Sequence, residues 1–125
     1  MFQVIATAEA PKAVGPYSQA VKYNGMVFVS GQIPINPATG ELVTGPIADQ
    51  TTRVIKNLQA ILEEAGSDLS KVIKTTVYLK DMNDYEVVNK TYGEHFTAVK
   101  PARVCVQVAR LPKDVSIEID AIAAV

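Results

Sequence analysis

The sequence predicts one domain built around a β-sheet, with two helices laid against one of its faces. Three observations carry that reading. Two segments repeat their apolar residues at the 3.6-residue spacing of a helix with one buried side. Five short runs alternate at period two or concentrate β-branched residues, as strands do. Their order, strand-strand-helix-strand-helix-strand-strand, lets both helices cover the same side of a single sheet. A length of 125 residues suits one such domain, spanning 1–125, and not two.

The first two strands flank Asn24-Gly25, a pair that supplies the positive φ values a type I′ hairpin turn requires, so residues 20–30 read as a hairpin. Residues 30–40 hold two prolines and two glycines and read as a structured loop. Residues 47–65 form the first helix. Its stripe is Ile47, Val54, Ile55, Leu58, Ile61, Leu62 and Ala65, and Gly66 suits the left-handed position after its end. The polar side, which includes Arg53, Lys56, Asn57, Glu63 and Glu64, is expected to be solvated only.

Residues 72–79 are rich in β-branched side chains and read as a strand. Asn83 and Glu86 have the spacing of a capping box, which would start the second helix at Asn83 and carry it to about Thr97. Val87, Val88, Tyr92 and Phe96 would face inward, and Gly93 would weaken that helix by about 1 kcal/mol relative to alanine. Pro101 opens a new element, and the last two strands read as a single β-hairpin. Apolar surface left on the second face of the sheet would favour self-association, so a homo-oligomer is expected.

Bulk properties exclude several classes. Lys and Arg number 12 against 13 Asp and Glu, for a net charge of −1. With a pI of about 5.8 and no basic run, a dedicated nucleic-acid binder is not expected. A single cysteine, Cys105, permits no internal disulfide and fits a reducing compartment such as the cytoplasm. No secretory leader and no membrane-spanning run is read from the sequence. One histidine and one cysteine fall short of a zinc ligand set, and no phosphate-binding glycine loop is present.

The chemistry concentrates near the last two strands. Alternation places Arg103, Cys105 and Gln107 on one face of the first, and Ser116, Glu118 and Asp120 on one face of the second. With Ala109 opposite Asp114, Cys105 would lie opposite Glu118, and Arg103 diagonal to it. A slip of one residue would put the two sets on opposite faces. Two readings of Arg103 and Glu118 stay open. They form a cross-strand ion pair, or Arg103 is a fork for a ligand's carboxylate. Cys105, between two valines, reads as a small buried hydrophobe. His95 reads as a surface or packing residue. Tyr17, aimed by Gly15-Pro16, is either a packing residue or an aromatic wall whose hydroxyl reaches a ligand.

Four runs carry a resemblance: Gly15-Pro16-Tyr17-Ser18-Gln19-Ala20, Val29-Ser30-Gly31-Gln32-Ile33-Pro34, Lys74-Thr75-Thr76-Val77-Tyr78-Leu79, and Pro101-Ala102-Arg103 through Glu118-Ile119. Together the chain resembles the RidA/YjgF family of reactive-intermediate deaminases over nearly its whole length. The resemblance implies an α+β fold of the chorismate-mutase-like kind, with a mixed sheet, two helices on one face, and a homotrimer with clefts between subunits. It implies hydrolysis of enamines and imines such as 2-aminoacrylate and 2-aminocrotonate to 2-keto acids and ammonia, without cofactor or metal. A functional link to pyridoxal-phosphate-dependent dehydratases, which release such intermediates, follows from it. By position, Arg103 would bind the substrate carboxylate, Glu118 would activate water, and Cys105 would line the cleft. Tyr17, Ser30, Gly31 and Asn89 would border it. The competing reading is a module that binds 2-keto acids in the same cleft without turnover. A ribonuclease or translation inhibitor is disfavoured by the acidic pI.

Overall fold

A computed structural model of the chain describes residues 1–125. Six strands form one sheet: β1 (Gln3–Ile5), β2 (Ala20–Tyr23), β3 (Met26–Gln32), β4 (Val72–Leu79), β5 (Ala102–Gln107) and β6 (Ile117–Ala124). Two helices, α1 (Ile47–Glu64) and α2 (Tyr85–His95), complete the fold. The strand order is β1-β2-β3-β6-β4-β5. Only β4 and β5 run parallel, so the sheet is mixed, as expected. The short strand β1 was not foreseen from the sequence.

The hairpin at Asn24-Gly25 forms, with φ values of 54° and 79° and Tyr23 opposite Met26. β3 runs on through Ser30 and Gly31, which the sequence assigned to the loop, by way of a bulge between Val29 and Gln32. Helix α1 ends as read. Gly66, at φ 85°, donates to the Glu63 carbonyl and Ser67 to that of Leu62, closing the last turn. One residue of its polar side is not solvated. Asn57 is fully buried, and its amide donates to the carbonyls of Ile33 and Ile35 at 3.2 and 3.0 Å. Those carbonyls lie outside any strand; that of Ile33 also accepts from the Ile35 amide, whereas that of Ile35 relies on Asn57.

Helix α2 differs at both ends. It begins at Tyr85 and stops at His95 rather than Thr97, and Asn83 does not cap it. Asp81 instead accepts from the Asn83 amide at 2.9 Å, capping a short 3₁₀ turn over Met82–Asp84. Val88, Tyr92 and Phe96 are buried, but Val87 is exposed.

The largest departure concerns the last two strands. They are not a hairpin, because β4 lies between them. β5 follows β4 through α2 and pairs with it in parallel, as a strand-helix-strand crossover does. The connection to β6 passes over the end of β4, where Val108 donates to Leu79 and Lys80 to Ser116, each at 3.0 Å. Leu111 and Val115 anchor it in the interior.

Both helices cover one face. Against them pack Val27, Val29, Val77, Leu79, Ile117 and Ile119, together with Ile55, Leu58 and Ile61 of α1. The other face is bare and largely apolar, with Val4, Tyr23, Phe28, Val104 and Val106 exposed.

Candidate functional site

Register fixes where the charges point. On β4, Thr75 stands opposite Arg103 and Val77 opposite Cys105. On the other side of β4, Thr75 stands opposite Ala121, Val77 opposite Ile119, and Tyr78 opposite Glu118. Directly paired residues share a face. Arg103 and Cys105 therefore lie on the helix-covered face with Ile119, and Glu118 lies on the bare one. The expected arrangement, with Arg103, Cys105 and Glu118 on one face, does not form within a chain. A cross-strand ion pair between Arg103 and Glu118 is excluded for the same reason; the one salt bridge in the chain joins Arg110 to Asp114.

Arg103 is half-buried in a cage supplied by α2. Its Nη2 donates to the Oδ1 of Asn89 at 2.7 Å and to the hydroxyl of Tyr85 at 3.3 Å. Its guanidinium carbon stands 4.9 Å from the ring centre of Tyr92 and 5.7 Å from that of Tyr85, within cation–π range. Tyr92 is itself fixed. Its hydroxyl bonds the Thr75 hydroxyl at 2.7 Å, and its ring stacks on Phe96 at 4.3 Å. All these partners are neutral, so the positive charge is oriented but not compensated. Tyr85, Thr75 and Tyr92 were missed as site residues. The spacing of Tyr85, Asn89 and Tyr92, four and then three residues, puts them on one side of a helix and was the available signal.

Cys105 packs beside this cage against the core. Burial pushes its thiol pKa up, partly offset by the Arg103 charge, which keeps it protonated near neutrality and a weak nucleophile. His95 bonds only the Thr91 carbonyl of its own helix through Nδ1, at 3.0 Å. No three His, Cys, Asp or Glu side chains converge as metal ligands.

The remaining predicted residues gather around Glu118. Gly31 lies directly against its side chain, with no room for a Cβ between them. Ser30, in the same bulge, donates its hydroxyl to the Ser18 carbonyl at 2.6 Å, and its amide to the Gln19 carbonyl at 2.9 Å. This ties β3 to the segment carrying the exposed Tyr17. Gln19, buried, clamps that segment further by donating to the carbonyls of Thr7 and Pro11 at 3.0 and 2.8 Å. Burial first, and the Asp120 charge second, raise the pKa of Glu118 above its ordinary value. The residues predicted for the site thus fall into two groups: Arg103, Asn89 and Cys105 on one face, and Glu118, Gly31, Ser30 and Tyr17 around the other.

The fold and these residues define a class. Residues 7–125 match the sequence profile of the family described as Endoribonuclease L-PSP, and the chain belongs to this RidA/YjgF family. Two relatives show the range of names within it. A RutC family protein of Pyrococcus abyssi is 60% identical over 97% of this chain and 95% of its own length. The 2-iminobutanoate/2-iminopropanoate deaminase of Escherichia coli K12 is 52% identical over 98% of each chain. Among solved structures, the yjgF gene product of E. coli superposes with a TM-score of 0.94 at 50% identity over 98% of each chain, which establishes the fold.

Proposed function

We propose that this protein hydrolyses 2-imino acids and their enamine tautomers, such as 2-aminoacrylate and 2-aminocrotonate, to 2-keto acids and ammonia. The observation that carries the reading is the state of Arg103. Its guanidinium is aimed by an aromatic platform and an asparagine, yet no carboxylate meets it. Such a cation is suited to two-point binding of a substrate carboxylate. The name of the E. coli relative, a deaminase of two 2-imino carboxylates, supports the same substrate class.

Because Arg103 and Glu118 occupy opposite faces of the sheet, we assign the cleft to two copies of the chain, one lending each. The bare apolar face favours that self-association, and we read the assembly as a homotrimer with three equivalent clefts. In each, Arg103 and Asn89 would hold the carboxylate end, Cys105 would line the wall, and Tyr17, Ser30 and Gly31 of the neighbouring copy would border the imine.

The chemistry then needs only water and these side chains. Arg103 fixes the carboxylate and so places the imine carbon. A water held by Glu118 attacks that carbon, one of its protons passing to the carboxylate and from there to the imine nitrogen, which gives a neutral carbinolamine. Glu118 then takes the carbinolamine's hydroxyl proton and returns it to the amino nitrogen as the C–N bond breaks, so the carbonyl closes, ammonia leaves and the carboxylate is regenerated. A carboxylate whose pKa is raised by burial is nearer to neutrality, which suits a group that must take a proton and return it. Help of this kind is typically worth about 10²–10⁴-fold. We place the reaction in the cytoplasm, downstream of pyridoxal-phosphate-dependent dehydratases that release such imines.

The test is keto-acid release from imines generated in situ, with wild type and Arg103→Ala. Loss of turnover in an assembly that stays intact supports the reading, and retained turnover overturns it. Keto-acid binding by wild type without acceleration of hydrolysis would favour a ligand-sensing module instead.

A further inference from the structure

We infer that Tyr85 is a substrate-binding residue whose hydroxyl gives the bound carboxylate a hydrogen-bond donor beyond those of Arg103. The inference rests on the carboxylate-binding role proposed for Arg103 and names a residue outside the set derived from the sequence.

Tyr85 is the first residue of α2, and its ring is partly exposed beside the guanidinium. Arginine has no acceptor, so in the 3.3 Å contact with Nη2 the phenol oxygen accepts, and its own proton is left over. No group in the chain takes that proton. Asn89, one turn further along α2, binds the same Nη2 more closely, at 2.7 Å.

This matters because both two-point faces of a guanidinium include Nη2: one pairs it with Nε, the other with Nη1. A carboxylate that docks on either face competes with what Nη2 already holds. Of the two contacts, that of Tyr85 is the longer and the more exposed, so it is the one that yields. Asn89 keeps its place. The displaced hydroxyl then lies beside a carboxylate oxygen with a proton to give. Tyr85 changes from acceptor toward Arg103 to donor toward the ligand, and a neutral ligand without the carboxylate would not draw it across.

Hydrogen bonds to charged groups are the strong class, so removing this one should weaken binding by about tenfold. The experiment titrates 2-oxobutanoate into wild type, Tyr85→Phe and Arg103→Ala, and measures imine turnover for each. Phenylalanine keeps the ring and loses only the hydroxyl. The expected result for Tyr85→Phe is weaker keto-acid binding by about tenfold, a KM that rises more than kcat falls, and an unchanged melting temperature. Unchanged or tighter binding in Tyr85→Phe, with binding lost in Arg103→Ala, overturns the role of Tyr85 and leaves that of Arg103 standing. Binding and turnover that survive in Arg103→Ala overturn the underlying reading and the role of Tyr85 with it.

Discussion

Gly31 and Glu118 share one space: a Cβ built on Gly31 would lie 2.8 Å from the Glu118 carboxyl carbon. The bulge in β3 brings the backbone of Gly31 against β6 at this point, and the carboxylate fills the volume that any other residue would occupy. Glycine here is a condition for the position of Glu118.

Gly31→Ala should therefore move the carboxylate. We expect keto-acid formation to fall at least tenfold, at about the cost expected for a misplaced general base. The loss of stability should be small, because the obstructing atoms belong to a side chain that can swing away. Steady-state kinetics beside a thermal melt would separate the two effects; a variant with full activity would show that the position of Glu118 is not critical.

The raised pKa of Glu118 makes two pH predictions. The base must be ionised, so kcat/KM should rise with pH, with a midpoint above the ordinary carboxylate value near 4.5. The stability effect has the opposite sense. The folded state holds this proton more tightly than the unfolded chain, so Glu118 costs stability as pH rises from the unfolded pKa through the folded one. Glu118→Gln should abolish the kinetic limb, lower turnover by about 10²–10⁴-fold, and be at least as stable as wild type at pH 7. A pH–rate profile unchanged in Glu118→Gln would remove it from the mechanism.

The opposed faces of Arg103 and Glu118 predict complementation. Alone, Arg103→Ala should be inactive and Glu118→Gln should keep only the small residual turnover expected above. Refolding the two variants together should restore a fraction of wild-type activity, because some clefts would draw the intact arginine from one copy and the intact glutamate from another. If the co-refolded mixture is as inactive as its components, the cleft is not shared between copies.

Legibility in the sequence was uneven, for a physical reason. The stripe of α1 and the Asn24-Gly25 turn depend on local spacing, and both were readable. The partners of β5 and β6 were not. Alternation says which residues of a strand share a face, but not which face is inward or which strand is the neighbour. On β6 the usual rule holds: Ile117 and Ile119 point to the helices and Glu118 points away. On β5 it is inverted. Val104 and Val106 are exposed on the bare face, while Arg103 and Cys105 turn toward α2. A strand that breaks the inward-apolar rule is where function is expected to override local consistency. The cage of Tyr85, Asn89 and Tyr92 that makes the inversion tolerable becomes visible only once the crossover sets α2 over β5. Asn57 is a similar case, since the loop carbonyls it satisfies lie 22 and 24 residues away.

The strand β6, last of the six in chain order, lies inside the sheet between β3 and β4. Before it docks, the sheet exists only as two pieces, the β1-β2-β3 meander and the β4-α2-β5 crossover, bridged on one face by α1. Joining them pairs Met26 with Ala124, 98 residues further along a chain of 125, and such distant pairings form slowly. Folding should then end with the arrival of β6, and pulse-labelled hydrogen exchange should find its amides protected after those of α1 and the first hairpin. Early protection of β6 would reverse that order. In the proposed site the cationic half belongs to the crossover piece and the acidic half to β6, so on this folding order the machinery for chemistry would be completed only by the last strand to arrive.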